Sequence, residues 1–125
     1  MNSMKFMQRD FSAILRVGQA LISSSDNCQD KQAATKLVYG LATFVTEDMM
    51  PAVLRLAQVI DLETAIVVVA RLGEEEFDWA KDLLYSVATA SSDMNDAQIR
   101  IFNSLVDAYW EYQPSDDNGS FDAYA

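Results

Sequence analysis

Ile66-Val67-Val68-Val69 is the run in this chain that most favours a β-strand, and it has no second strand to pair with. Consecutive β-branched residues suit a pleated surface. A strand must also satisfy its backbone against a neighbour, and no other segment alternates apolar and polar residues at period two. A lone strand is untenable, which commits the chain to helix. Apolar residues recur at helical spacing at Met7, Phe11, Ile14, Val17 and Leu21, and again at Ala34, Leu37, Val38, Leu41 and Val45. The fold class read from this is all-α: one compact domain of five to seven helices over residues 1–112, which is chain enough for a single core. Residues 113–125, with Pro114 at their start, are polar, acidic and unpatterned, and read as a disordered tail.

The helix boundaries are punctuated by side chains that serve orphaned backbone amides. Asp30 is placed to accept from the first turn of the second helix. Thr46 with Glu47 and Asp48 marks another start, and Pro51 is tolerable there only within a first turn. Asp61 opens LETAIVVVARL, which is apolar nearly all round; this predicts the most buried helix, ending at Gly73 as C-cap. Glu74, Glu75 and Glu76 sit where a helix N-terminus favours negative charge, with Phe77, Ala80, Leu84 and Val87 as the core face of that helix. Asn95 and Gln98 form a capping-box pair opening the last helix, for which Ile99, Phe102, Val106, Tyr109 and Trp110 are the expected buried stripe.

Composition removes most chemistry. There is no histidine and Cys28 is the single cysteine, so imidazole bases, Ser-His or Cys-His couples, an intrachain disulfide and a thiolate metal cluster are all excluded. No Gly-rich phosphate loop or convincing carboxylate pair replaces them, and the expectation is a protein without catalytic residues. No apolar run reaches membrane-spanning length, and Met1–Asp10 is charged where a signal peptide would be apolar, which makes a cytoplasmic location the expectation. The net charge of −10 is uneven: residues 1–60 carry six Lys/Arg against five Asp/Glu, and residues 61–125 three against fourteen. Direct nucleic-acid binding needs a basic face and is not expected. A basic protein surface fits this field better, although acidity also serves solubility.

Two loops resemble each other. Ser24-Ser25-Asp26-Asn27 is followed by Asp30-Lys31-Gln32, and Ser91-Ser92-Asp93-Met94 by Asp96-Ala97-Gln98, each between two helical stretches. The pattern reads as an internal duplication of helix, acidic loop and helix. With ALISSSDN at residues 20–27, SVATASSD at residues 86–93 and KFMQ at residues 5–8, the chain resembles the TerB-like family of tellurite-resistance proteins. That resemblance covers residues 5–112 and implies two helix-loop-helix halves in a stress-response or membrane-complex setting. Family loops carry Asp-Gly and a further carboxylate, a set suited to a hard cation. Here Asn27 and Met94 stand where glycines are expected, and Gln32 and Gln98 near the second carboxylate. The loops therefore read as helix starts that keep the scaffold and have lost the metal site, with Asp26, Asp30, Asp93 and Asp96 as the residual candidates for Ca²⁺ or Mg²⁺ and no other cofactor expected.

The leading functional reading is a non-enzymatic helical module that binds a protein partner through its acidic second half. Its candidate contact residues are Glu74, Glu75, Glu76, Asp78, Asp82, Asp107, Glu111, Phe121 and Tyr124. A mobile-element inhibitor that mimics nucleic-acid charge would place these acids on one face. A weak cation-binding stress protein would instead use the loop aspartates. The chain does not name its partner or its oligomeric state.

Overall fold

Residue 7 enters the first helix in an extended conformation, and Asp10, three residues on, folds its carboxylate back to accept from the Met7 amide at 2.7 Å. That reciprocal arrangement starts α1 (Gln8–Ser23). The computed structural model of the chain describes residues 4–26 and 30–112. The remaining elements are α2 (Lys31–Ala42), α3 (Met50–Val59), α4 (Leu62–Ala70), α5 (Glu74–Ala88) and α6 (Asp96–Tyr112). Among the described residues there is no strand, as the unpartnered valine run predicts: Val67, Val68 and Val69 lie inside α4. The acidic tail expected at residues 113–125, with Phe121 and Tyr124, lies outside the described residues.

The architecture is a bundle arranged around α1, which packs against α2, α3, α4 and α5. Ten of its sixteen residues are buried, several of them small: Ser12, Ala13, Gly18 and Ala20. Small side chains let neighbouring helices approach. A Cβ added at Gly18 would come within 2.7 Å of the Leu37 side chain of α2, so glycine here is what permits the crossing. The Ser12 hydroxyl, fully buried, donates to the Val53 carbonyl of α3 at 3.0 Å. The core continues through Phe11, Ile14, Val17 and Leu21 of α1 into Leu41, Val53, Val69, Leu84 and Leu105. Phe6, ahead of α1, closes one end of the bundle against Phe11, Phe44 and Trp79, with ring centroids 5.0 to 5.4 Å away.

Five expectations need correction. The most buried helix is α1 and not α4, in which only Ala65, Val69 and Ala70 are fully buried. Apolar content overestimates burial for a helix with few neighbours, and α4 packs chiefly on α1 and α6. Gly73 does not cap α4. That helix ends at Ala70 with Arg71 as its C-cap, and Gly73, at φ −62°, is the N-cap of α5. The Thr46 signature does not open a helix directly; its carbonyl accepts from Met49 and Met50 in a turn, and α3 starts at Met50 with Pro51 in its first turn. In α2 the buried line is Ala33, Leu37 and Leu41, one position away from the expected Ala34 and Val38, both of which are exposed. Met7 is likewise exposed, being a helix cap and not a core residue.

The last two helices run antiparallel. Phe77 of α5 stacks on Tyr109 of α6 at 3.8 Å, and Tyr85 meets Phe102 edge-on at 5.9 Å, so the start of one helix faces the end of the other. Burial raises the Tyr109 hydroxyl above its ordinary pKa, and the Glu74 and Asp78 charges raise it further. The acidic start of α5 thus lies beside the end of α6.

Candidate functional site

The two look-alike loops lie side by side and serve each other's helices. In the first, Asp30 caps α2 by accepting from the Ala33 amide at 3.1 Å, as its place in the sequence predicts. The Ser91 hydroxyl of the second loop donates to the same carboxylate and, with the Ala33 amide, holds its pKa below the usual carboxylate value. In the second, the Asn95 and Gln98 capping box is formed in both directions, at 2.9 and 3.0 Å. Asn95 then reaches across with its side-chain amide to the Ser24 carbonyl at 2.8 Å and to Asp26 at 3.2 Å.

Gln98 does more than cap. It is 2% exposed, and its amide nitrogen donates to the Leu21 carbonyl at 2.9 Å and, more weakly, to the Ala88 carbonyl at 3.4 Å. Both carbonyls belong to the last turns of their helices, α1 and α5, where no following helical amide is in place. One side chain therefore ties together the start of α6 and the ends of α1 and α5. The sequence marked Gln98 as a lost carboxylate, but a carboxylate there could not donate to either carbonyl.

The candidate cation ligands are consequently occupied in structural bonds or set apart. Asp30 caps α2, Asp26 accepts from Asn95, and Asp96 lies in the first turn of α6. No group of three or more carboxylates, cysteines or histidines converges among the described residues. Between the loops is a pocket of about 20 Å³ lined by Ser25, Asp30, Ser91 and Gln98, room for roughly one water.

The pH response follows from the caps. Asp30 and Asp61, the latter held down by the Thr64 hydroxyl and amide, both have folded-state pKa values below the ordinary carboxylate value. Their stabilisation is complete above the unfolded value of about 4 and is lost as pH falls through the lower folded values. The wild-type melting temperature is therefore expected to fall more steeply below about pH 4 than that of an Asp30→Asn, Asp61→Asn double variant, followed by circular dichroism. Parallel curves would refute the assignment.

The acidic candidates do not form one face. Glu74, Glu75 and Glu76 do occupy the first turn of α5, but Glu76 turns aside to accept from the Lys5 backbone amide at 2.6 Å. Glu74 and Asp78 flank Tyr109. Asp107 and Glu111 lie about half a turn from the buried Leu105 and Tyr109 on α6, facing away from the core. Asp78 and Asp82, one turn apart on α5, are exposed, and Lys81 approaches Asp78 only to 4.0 Å.

Burial on α6 differs from the expected stripe in an informative way. The fully buried positions are Gln98, Leu105 and Tyr109, with Phe102 and Val106 half-buried. Ile99 is exposed and Trp110 is 71% exposed. The helix has more apolar residues than its neighbours can cover, and the excess continues one flank, 99–102–106–110, at helical spacing. Phe102 places that flank against Tyr85 of α5, itself 51% exposed. The result is an apolar, aromatic strip along the α5–α6 seam, with Asp78 and Asp82 on the α5 edge. Sequence periodicity found the α6 residues of this strip but assigned them to the core, because periodicity cannot count the neighbouring helices; Tyr85 was not among the residues it marked.

No protein-family model matches the chain. No curated protein matches it in sequence. Among solved structures the fold is similar to a protein of unknown function, PG1108, from Porphyromonas gingivalis W83, at TM-score 0.70 and 16% identity over 88% of this chain and 83% of that one. At that identity the likeness concerns the fold alone. No helix among the described residues is long and apolar enough to cross a membrane.

Proposed function

We propose that this chain is a non-enzymatic interaction module, a divergent relative of the TerB-like proteins, that binds a basic protein segment along the α5–α6 seam. The observation that carries this reading is the exposed flank Tyr85, Ile99 and Trp110 beside Asp78 and Asp82. A large aromatic residue left in water on a flank edged by exposed acids suits a partner that brings both an apolar anchor and Lys or Arg. The paired loops support the TerB-like part of the proposal, since each loop braces the other half of the chain. Charge mimicry of nucleic acid draws less support, because its acids would have to share a face and these are dispersed. Asp30 is engaged in a helix cap and Asp26 in a bond from Asn95, and the loop aspartates do not converge as a group of three, which makes a cation-sensing role the weaker alternative.

The test is quantitative capture from lysate of the source cell, comparing wild type, Trp110→Ala and the double reversal Asp78→Lys, Asp82→Lys. A specific partner is expected to be retained by wild type, weakened at least about tenfold by Trp110→Ala, and released by added salt. Retention by both variants, with loss on Val38→Asp in α2, would move the interface elsewhere and overturn the proposal.

A further inference from the structure

Three of the nine Lys and Arg residues of this acidic chain line one cleft. Lys5, Arg9 and Arg71 surround a space of about 340 Å³ between the entry to α1 and the α4–α5 junction, with Met7, Val67, Val68 and Leu72 as apolar lining and Asp10 and Gly73 completing it. That volume lies within the range of small-molecule sites. Clustering of cations is unexpected in a chain whose net charge is −10.

Of the three cations in the cleft, only Arg9 has a carboxylate within ion-pair range among the described residues. Arg71 has no carboxylate partner among the described residues; its guanidinium lies 4.8 Å over the Tyr112 ring, which orients it and leaves its donors open. Arg9 approaches Asp10 only to 3.9 Å, while the Asp10 carboxylate accepts from the Met7 amide and so serves the start of α1. The Lys5 ammonium has no ion pair among the described residues. Glu76 is the opposing charge nearby. It accepts from the Lys5 backbone amide and folds over Gly73, occupying the start of α5, so the cations and not that helix end define the site.

We propose that this cleft binds a small organic anion, a carboxylate or phosphomonoester head on an apolar body about the size of one ring. Two guanidinium groups offer paired donors whose geometry matches either head group, and Lys5 adds a mobile third charge. Val67, Val68 and Leu72 cover the apolar body. The site is separate in its residues from the proposed α5–α6 interface and does not depend on it.

The experiment is a titration of the full chain, followed by amide chemical shifts, with phenyl phosphate, benzoate and neutral benzyl alcohol. Saturable shifts at Arg9, Val67, Val68, Arg71 and Leu72 are expected with at least one anion and not with benzyl alcohol, and the stronger anion identifies the head group. Arg71→Gln and Arg9→Gln should each weaken binding by about tenfold, whereas Arg100→Gln on α6 should leave it unchanged. Both replaced side chains are exposed, so the variants are expected to keep the dispersed wild-type spectrum. Should either variant fail to fold, the three-probe comparison on wild type still decides. Equal binding of benzyl alcohol, absence of saturation, or unchanged affinity in the arginine variants would overturn the proposal.

Discussion

Gln98→Ala is expected to lower the unfolding free energy by about 2–4 kcal/mol, more than an exposed helix cap would cost. The capping part contributes about 1 kcal/mol. The remainder comes from leaving the Leu21 carbonyl buried without its donor, and from the space vacated by a side chain that is 2% exposed. Gln98→Glu separates these contributions, because the shape is retained while the donor is lost. Deprotonated, the new carboxylate would face the Leu21 and Ala88 carbonyls, so its folded pKa must rise above the unfolded value of about 4.3. The sign is fixed by linkage. Below that unfolded value the variant carries a proton in both states and keeps its stability; as pH rises, stability falls, then levels off once the folded group also ionises. Urea denaturation of both variants at pH 3 and pH 7 checks the result. A Gln98→Glu variant with wild-type stability at pH 7 would mean that the side chain does not tie the three helix ends.

The second large effect lies in α1. Ile14→Ala should cost about 2–5 kcal/mol, because the residue is fully buried in the helix that touches four others, and the surrounding bundle cannot collapse around the cavity. Val38→Ala, on the exposed side of α2, should stay within about 0.5 kcal/mol. The sequence offers no such contrast, since both residues fall in apolar helical stripes. Comparable losses in denaturation midpoint for the two variants would contradict the central position of α1.

These cases show where the sequence was legible. The capping residues Asp30, Asp61, Asn95 and Gln98 were readable because a cap is local: acceptor and amide lie within three residues of each other. All-helical class followed from the period of apolar residues and the unpartnered valines. Which apolar side chains are covered was not readable, as α6 shows with Ile99 and Trp110, because coverage depends on helices distant in sequence. The bond between Asn95 and Ser24 spans 71 residues, and the basic cleft assembles Lys5 with Arg71. Neither juxtaposition leaves a local pattern. The repeated loops gave the nearest hint, since their likeness suggested equivalent places in two halves, though not that each half would brace the other.

Gln98 and Leu21 are 77 residues apart, and this separation has a consequence for the order of folding. A contact that closes so long a loop is reached late, because chain entropy must be overcome before the bond rewards it. During synthesis α1 leaves the ribosome before the other helices, yet the donor to the Leu21 carbonyl in its last turn arrives only after α5 has been made. Until then the last turn of α1 lacks that donor, and the face of α4 against which α6 packs stays open. The two halves, however alike, are therefore not autonomous folding units: a fragment ending before residue 98 should remain collapsed but unfixed, and native packing should appear in a single step when α6 docks.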